Sequence, residues 1–178
     1  ALKGAHNHAN VLAAMALGEA VGVPLESMVE VAKSFKGLPH RCQPVSEFNS
    51  ILWINDSKAT NVGAVRAALE GLGTDNNIVL IAGGQSKGQS FDELRPLVQK
   101  YVKQLVLIGQ DADKLASALE GTAPVLFAVS MAAAVQVAAQ TGEPGNIVLL
   151  SPACASFDMF SGYEHRGREF AKAVEALV

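Results

Sequence analysis

The sequence predicts an α/β chain: a doubly wound, mostly parallel sheet flanked by helices, with two further helices ahead of it. Three observations carry this. From about residue 51 onward, short apolar runs alternate with helical patterns across short loops. The runs, such as Ile78-Val79-Leu80-Ile81-Ala82, are unbroken rather than alternating, as strands covered on both faces require. The 178 residues are 49% hydrophobic and only 17% charged, enough for a packed core and too apolar for a disordered chain.

The elements follow in order. Residues 7–21 place Val11, Leu12, Met15, Ala16 and Leu17 on one helical face, with Asn7 positioned to cap the first turn. A second helix, 25–35, starts near Pro24-Leu25 and stops before Gly37 and Pro39. Extended segments at 43–48 and 51–55 flank Asn49-Ser50, a hairpin turn. The alternation then runs helix 61–70, strand 78–82, helix 91–100, strand 104–108, helix 111–119, strand 124–128, helix 130–140, strand 146–150 and helix 163–177. A boundary near residue 42 separates the opening helices from the α/β part.

Composition narrows the function. A net charge of -3 leaves no basic stripe for phosphate backbones, so no nucleic-acid partner is expected. Cys42 and Cys154 are far apart, belong to no CxxC pattern, and fit a reducing compartment. No run reaches the roughly 18–20 apolar residues of a membrane span, and "ALKGAHNHAN" has no charged-then-apolar leader. The chain does not begin with Met, which raises the expectation that it is a piece of something longer.

Ligands of such sheets sit beyond the carboxyl ends of the strands. Polar groups gather there in three loops. "NDSKATN", 55–61, sets Asp56, Ser57, Lys58, Thr60 and Asn61 ahead of a helix. Capping by Thr60 or Asn61 needs one of these groups, not five; an anion or nucleotide site uses the rest. "GGQSKG", 83–88, matches neither GxxxxGK[ST] nor GxGxxG. Its glycines admit a close backbone and Lys87 offers a point charge, or the segment is simply a tight turn with an exposed lysine. "SPACASFD", 151–158, is no nucleophile elbow; Ser156 can cap a turn or donate to a carboxylate, and Cys154 reads as a small packed residue. "LPHR", 38–41, offers Arg41 as a phosphate clamp and His40 as a stacking or hydrogen-bonding partner. His6 and His8 are two apart, the wrong spacing for a zinc pair on a helix. A dehydrogenase is disfavoured because no GxGxxG follows a strand.

In order and spacing, "HNxxN" (6–10), "GLPHR" (37–41), "NDSKATN", "GGxxKG" and "LLSPACAS" (149–156) resemble the C-terminal part of the Mur ligase family of peptidoglycan synthesis, in the branch that adds D-glutamate. The resemblance covers essentially the whole chain and implies a division. Residues 1–42 would be the helical tail of a central ATPase domain, and residues 43–178 a Rossmann-like domain binding amino acid and nucleotide. It implies a cytoplasmic bacterial ligase that forms an acyl phosphate on UDP-N-acetylmuramoyl-L-alanine, using ATP with Mg, and lets the amine of D-glutamate attack it. In the matching positions Asn7, Asn10, His40, Arg41 and Asp56 would hold ATP. Thr60 and Lys87 would bind one carboxylate of D-glutamate; Ser156, with backbone near Phe157 and Tyr163, would bind the other. Tyr163 stands where the family often has Phe. Lys58 would give electrostatic support to substrate or phosphate.

The resemblance also implies what lies elsewhere: the P-loop, the metal ligands and the uridine-nucleotide domain would precede this stretch. The expected partner is therefore the central domain of the same chain, and this part alone should not ligate. Two alternatives stand beside this reading. One is a related amide ligase with another amino-acid acceptor; the other is a non-catalytic Rossmann-like ligand-binding module.

Overall fold

The structure, a computed structural model, describes residues 5–177. The start of the chain that reads as leaderless, residues 1–4, lies outside the described residues. So does the side chain of His6, and with it the His6–His8 pair.

Two helices come first, α1 (Ala5–Ala20) and α2 (Leu25–Ser34), packed on each other. Because α1 already runs from Ala5, Asn7 lies inside its first turn and does not cap it. Val11 and Met15 turn toward α2, whereas Leu12 and Leu17 are 68% and 72% exposed. The exposed half of this apolar face lacks cover among the described residues.

The sheet has six strands: β1 (Gln43–Phe48), β2 (Ile51–Asn55), β3 (Ile78–Gly83), β4 (Val102–Ile108), β5 (Val125–Phe127) and β6 (Ile147–Leu150). Their order is β1-β2-β6-β3-β4-β5; β1 alone is antiparallel, on the edge. Asn49 and Ser50 join β1 to β2 with φ of 52° and 57°, the two left-handed residues a tight hairpin turn needs.

Side chains of the parallel strands alternate between two apolar cores. Ile54, Leu80, Leu105, Leu107 and Leu149 face α3 (Val62–Leu72), α4 (Arg95–Tyr101) and α5 (Ala112–Ala118). Trp53, Val79, Ile81, Val106 and Val148 face α6 (Met131–Thr141) and α7 (Tyr163–Glu175). Burial on both sides is why these runs read as continuously apolar. The edge strand β5 departs from this: its Phe127 is 56% exposed.

Local chemistry sets the helix starts. Asn61, rather than Thr60, caps α3, its Oδ1 accepting from the Ala64 N–H at 2.9 Å. Ser130 does the same for α6 through Ala133 at 3.1 Å. The helix expected over 91–100 divides into a single 3-10 turn, Asp92–Leu94, and α4. Pro96 explains the break, since proline has no N–H to donate and is tolerated only in a helix's first turn.

The topology places the site. The chain leaves β2 and β3 toward the α3–α5 face but leaves β6, which lies between them, toward the α7 face. Such a divergence opens a crevice at the carboxyl ends of these strands.

Candidate functional site

Three loops meet at that crevice, and hydrogen bonds tie each to the others. The loop after β3 and the loop after β6 pair through Gln85 and Ala155, each donating its N–H to the other's carbonyl at 2.9 Å. This approach needs Gly84: its φ is +124°, and a Cβ there would run into the Ala155 carbonyl oxygen. Gln89 spans all three loops. Its Nε2 donates to the Ala153 carbonyl at 2.6 Å, and its Oε1 accepts from the Val62 N–H at 3.2 Å. The β2 loop joins the β6 loop through Asp56, whose N–H donates to the Leu150 carbonyl at 2.8 Å.

Asp56 is 6% exposed, with both carboxylate oxygens engaged. The Ser151 hydroxyl donates to Oδ2 at 2.8 Å and the Cys42 N–H to Oδ1 at 3.1 Å. Burial pushes its carboxyl up to about 6, against downward pulls from the Ser151 and Cys42 hydrogen bonds and from Arg41. Asp56 thus fastens the segment entering β1 to the ends of β2 and β6.

Arg166 of α7 is 1% exposed, and no carboxylate among the described residues lies within ion-pair distance of it. Its Nε donates to Ser57 Oγ at 3.0 Å. The two terminal nitrogens donate to the Cys154 carbonyl at 3.0 Å and the Ser57 carbonyl at 2.9 Å. The guanidinium fork therefore holds the β2 and β6 loops against α7 through neutral acceptors. Burial lowers its pKa to about 10, and the cation persists at neutral pH.

His40, at φ 62°, packs on the same helix. Asn55 Nδ2 donates to the Gly167 carbonyl at 2.9 Å and lies 3.2 Å from His40 Nδ1. The His40 ring meets Tyr163 edge-on, at 6.1 Å between centroids. The Ser57 hydroxyl donates to the Tyr163 carbonyl at 2.8 Å, and Lys58 Nζ sits 3.8 Å from the centre of the Tyr163 ring.

The remaining site residues lie on the same edge. Thr60 is half-buried, its N–H donating to the Lys58 carbonyl at 2.8 Å. Lys87 is exposed at the tip of a tight turn, closed by the Gln89 N–H on the Ser86 carbonyl at 3.2 Å. Its φ of 53° is uncommon for a residue with a side chain. That turn is anchored where the Ser86 N–H donates to Asp111 Oδ2 at 2.7 Å; Lys114 holds the Asp111 carboxyl down to about 2. Ser156 is buried and its carbonyl accepts from the Phe160 N–H at 2.8 Å, whereas Phe157 is exposed. Cys154 is buried in the core, as a packed residue should be, and burial pushes its thiol up to about 12.

Asn7, Asn10 and Arg41 come together elsewhere. They line a cavity of about 750 Å³ between α1, α2 and the segment leading to β1, with apolar walls from Val11, Met28 and Phe35. His40 and Asp56 do not line it; they belong to the strand-edge network. The structure thus divides the eleven expected residues into a cavity group and an edge group.

Sequence reasoning missed Arg166, Asn55, Gln89 and Gly167. One signal was available: a glycine beside an arginine inside an otherwise amphipathic helix, in "HRGREF", marks a close approach.

Fold and site together define a domain that gathers cations and hydroxyls at the carboxyl edge of a parallel sheet. The chain belongs to the Mur ligase family: residues 40–154 match its model described as Mur ligase, glutamate ligase domain. Across 99% of its length it is 51% identical to UDP-N-acetylmuramoylalanine–D-glutamate ligase of Acinetobacter baylyi, covering 41% of that protein. It is 52% identical to the protein of that name from Pseudomonas syringae pv. tomato, over 99% of this chain and 40% of the relative. The chain thus spans about two fifths of the length of these curated relatives. Among solved structures, UDP-N-acetylmuramate-alanine ligase MurC from Thermotoga maritima superposes with a TM-score of 0.73 at 18% identity, over 99% of this chain and 39% of that one. MurF from Acinetobacter baumannii superposes with a TM-score of 0.67 at 24% identity, over 97% and 38%. These two bear on the fold alone.

Proposed function

We propose that this chain is the acceptor-binding part of an ATP-dependent ligase that adds D-glutamate to UDP-N-acetylmuramoyl-L-alanine through an acyl phosphate. The observation that carries the reading is the three-loop edge. Thr60, Lys87 and Ser156 stand on loops that Gln85, Gln89 and Arg166 tie into one unit. A dicarboxylate needs such donors from more than one direction, held in advance. Lys58 and Lys87 form no ion pair among the described residues, so their charge remains available to an anion.

In this reading Thr60 and Lys87 bind one carboxylate of D-glutamate, and Ser156 with the backbone of Phe157 and Tyr163 binds the other. Lys58 supports the reacting group electrostatically. ATP falls to Asn7, Asn10 and Arg41, whose cavity offers apolar walls for a flat base and a guanidinium for phosphate. Asp56 and His40 connect that cavity to the edge network. The nucleotide phosphates and the reacting carboxyl would need further residues from the rest of the protein. Residues 1–42 would end its central ATPase domain, whose surface would cover Leu12 and Leu17.

No group of three or more His, Cys, Asp or Glu that could hold a metal ion occurs among the described residues; in this reading the ligands of the Mg belong to the part of the protein that precedes them. No described helix is long and apolar enough to cross a membrane. A cytoplasmic location remains part of the proposal.

The test is ADP release by the intact protein with the uridine-linked muramoyl-alanine substrate and a panel of D-Glu, L-Glu, L-Lys and diaminopimelate. Turnover with D-Glu alone, lost in Thr60→Ala and Lys87→Ala, is expected. Turnover with another amino acid would keep a ligase and overturn the acceptor. No turnover with any would favour a binding module.

A further inference from the structure

Lys58 is held by an aromatic face rather than by a counter-charge. Its Nζ lies 3.8 Å from the centroid of the Tyr163 ring, and no carboxylate among the described residues is within ion-pair distance of it. Three neighbouring contacts hold the two residues in place. The Lys58 N–H donates to the His40 carbonyl at 3.0 Å, the His40 ring abuts Tyr163 edge-on, and the Ser57 hydroxyl donates to the Tyr163 carbonyl at 2.8 Å. Lys58, His40 and Tyr163 thus form a closed triangle joining the β2 loop, the connector into β1 and the first turn of α7.

An ion pair and a ring act differently on a lysine. A carboxylate would fix the ammonium and cancel its charge. The quadrupole of a ring attracts the ammonium but leaves its full positive charge. Without either, a flexible four-carbon stem spreads the charge over many positions. The Glu164 carboxyl, next in the chain after Tyr163, is held below its usual range chiefly by the Tyr163 hydroxyl and its own backbone N–H; the Lys58 charge adds a smaller pull without pairing with it. Two residues beyond Lys58 stands Thr60, and Tyr163 ends the loop that carries Ser156.

We propose that Tyr163 is a positioning residue for Lys58: its ring face holds the ammonium at a set place beside the acceptor edge while leaving the charge free for an anionic ligand. This assigns the side chain a task beyond the backbone contact with D-glutamate. It rests on the ligase reading above.

The test uses the intact protein in four variants: Tyr163→Leu, Tyr163→Phe, Lys58→Met and the double Lys58→Met/Tyr163→Leu. Tyr163→Leu should lower kcat roughly threefold to thirtyfold, the scale of a lost cation–ring contact. The KM for D-Glu should change less, and Tyr163→Phe should recover most of the loss because it keeps the ring. On the Lys58→Met background the leucine change should cost almost nothing, since the two residues act as one unit. An equal loss on both backgrounds, or a phenylalanine variant as impaired as the leucine one, would overturn the proposal. Should the wild type not turn over D-Glu, the ligase reading falls separately. The proposal is then read from the Lys58 ε-methylene proton resonances. An upfield ring-current shift in wild type and Tyr163→Phe, absent in Tyr163→Leu, supports it; no shift in wild type overturns it.

Discussion

Asp56 and Ser151 meet beyond the ends of two neighbouring parallel strands, the serine hydroxyl donating to the buried carboxylate at 2.8 Å. The contact joins residues 95 positions apart and closes the gap between the β2 and β6 loops. It also holds an acid in a place that resists its ionisation.

The first prediction concerns that acid. Burial raises the Asp56 pKa from 3.8 to about 6. The native state therefore binds a proton in this window that the unfolded chain has released. The stabilising contribution is full below about pH 4, falls as pH rises to about 6, and is absent above. Two units correspond to about 3 kcal/mol. Urea denaturation of this chain at several pH values should show that decline, and Asp56→Asn should remove it. An identical pH slope in the variant would refute the assignment.

Arg166 supplies the second. Lysine keeps the charge but has no fork, so Arg166→Lys leaves at least one of the buried carbonyls of Ser57 and Cys154 without its donor. A loss of about 2–4 kcal/mol is expected, from unpaired polar groups and a buried cation stripped of its partners. The urea midpoint should fall with the slope unchanged. A shift under about 0.5 kcal/mol, the range of ordinary surface changes, would mean the fork is not needed.

The cysteines give a third. Burial pushes both thiols up to about 12, with Asp56 adding to the effect at Cys42. Only thiolate reacts with disulfide reagents, so both should resist modification near pH 8 while the chain is native and react at once in denaturant. Rapid native labelling of Cys154 would show that the β6 loop opens far more often than its bonds to Arg166 and Gln85 suggest.

How much of this was legible beforehand follows from the range of the interactions. Ile78–Ala82 reads as a strand because burial on both faces is written into consecutive residues, and Asn49-Ser50 reads as a turn because both tolerate positive φ. The loops "NDSKATN", "GGQSKG" and "SPACAS" stood out because strand ends and polar clusters are local patterns. Arg166 did not, since its Ser57 partner lies 109 residues away and nothing nearby in sequence announces a buried guanidinium; Asn55, at the head of the first of these loops, gave no sign of its bond to Gly167, 112 residues on. Gln89 directly follows a recognised loop yet works by reaching 64 residues ahead. The start of α1 was misplaced because Asn7 looks like a cap and Ala5 gives no contrary signal.

The last prediction separates two helical glycines that look alike in sequence. Gly63 lies in the first turn of α3, and a Cβ there would meet only Asn61 Oδ1 at 3.5 Å. Gly63→Ala should therefore stabilise the chain by roughly 0.5–1 kcal/mol, by restricting the unfolded chain in a place the native helix accepts. Gly167 lies in α7 under the connector. A Cβ there would overlap His40 Nδ1 and come within 3.0 Å of Asn55 Nδ2. Gly167→Ala must displace the His40 ring, and with it the contacts to Asn55 and Tyr163, so about 1–3 kcal/mol of destabilisation is expected from overpacking. Paired thermal melts of the two variants decide the matter. Opposite shifts support the packing of His40 on α7. Stabilisation by both would show that His40 leaves that helix at little cost, and the triangle that holds Lys58 would lose one of its sides.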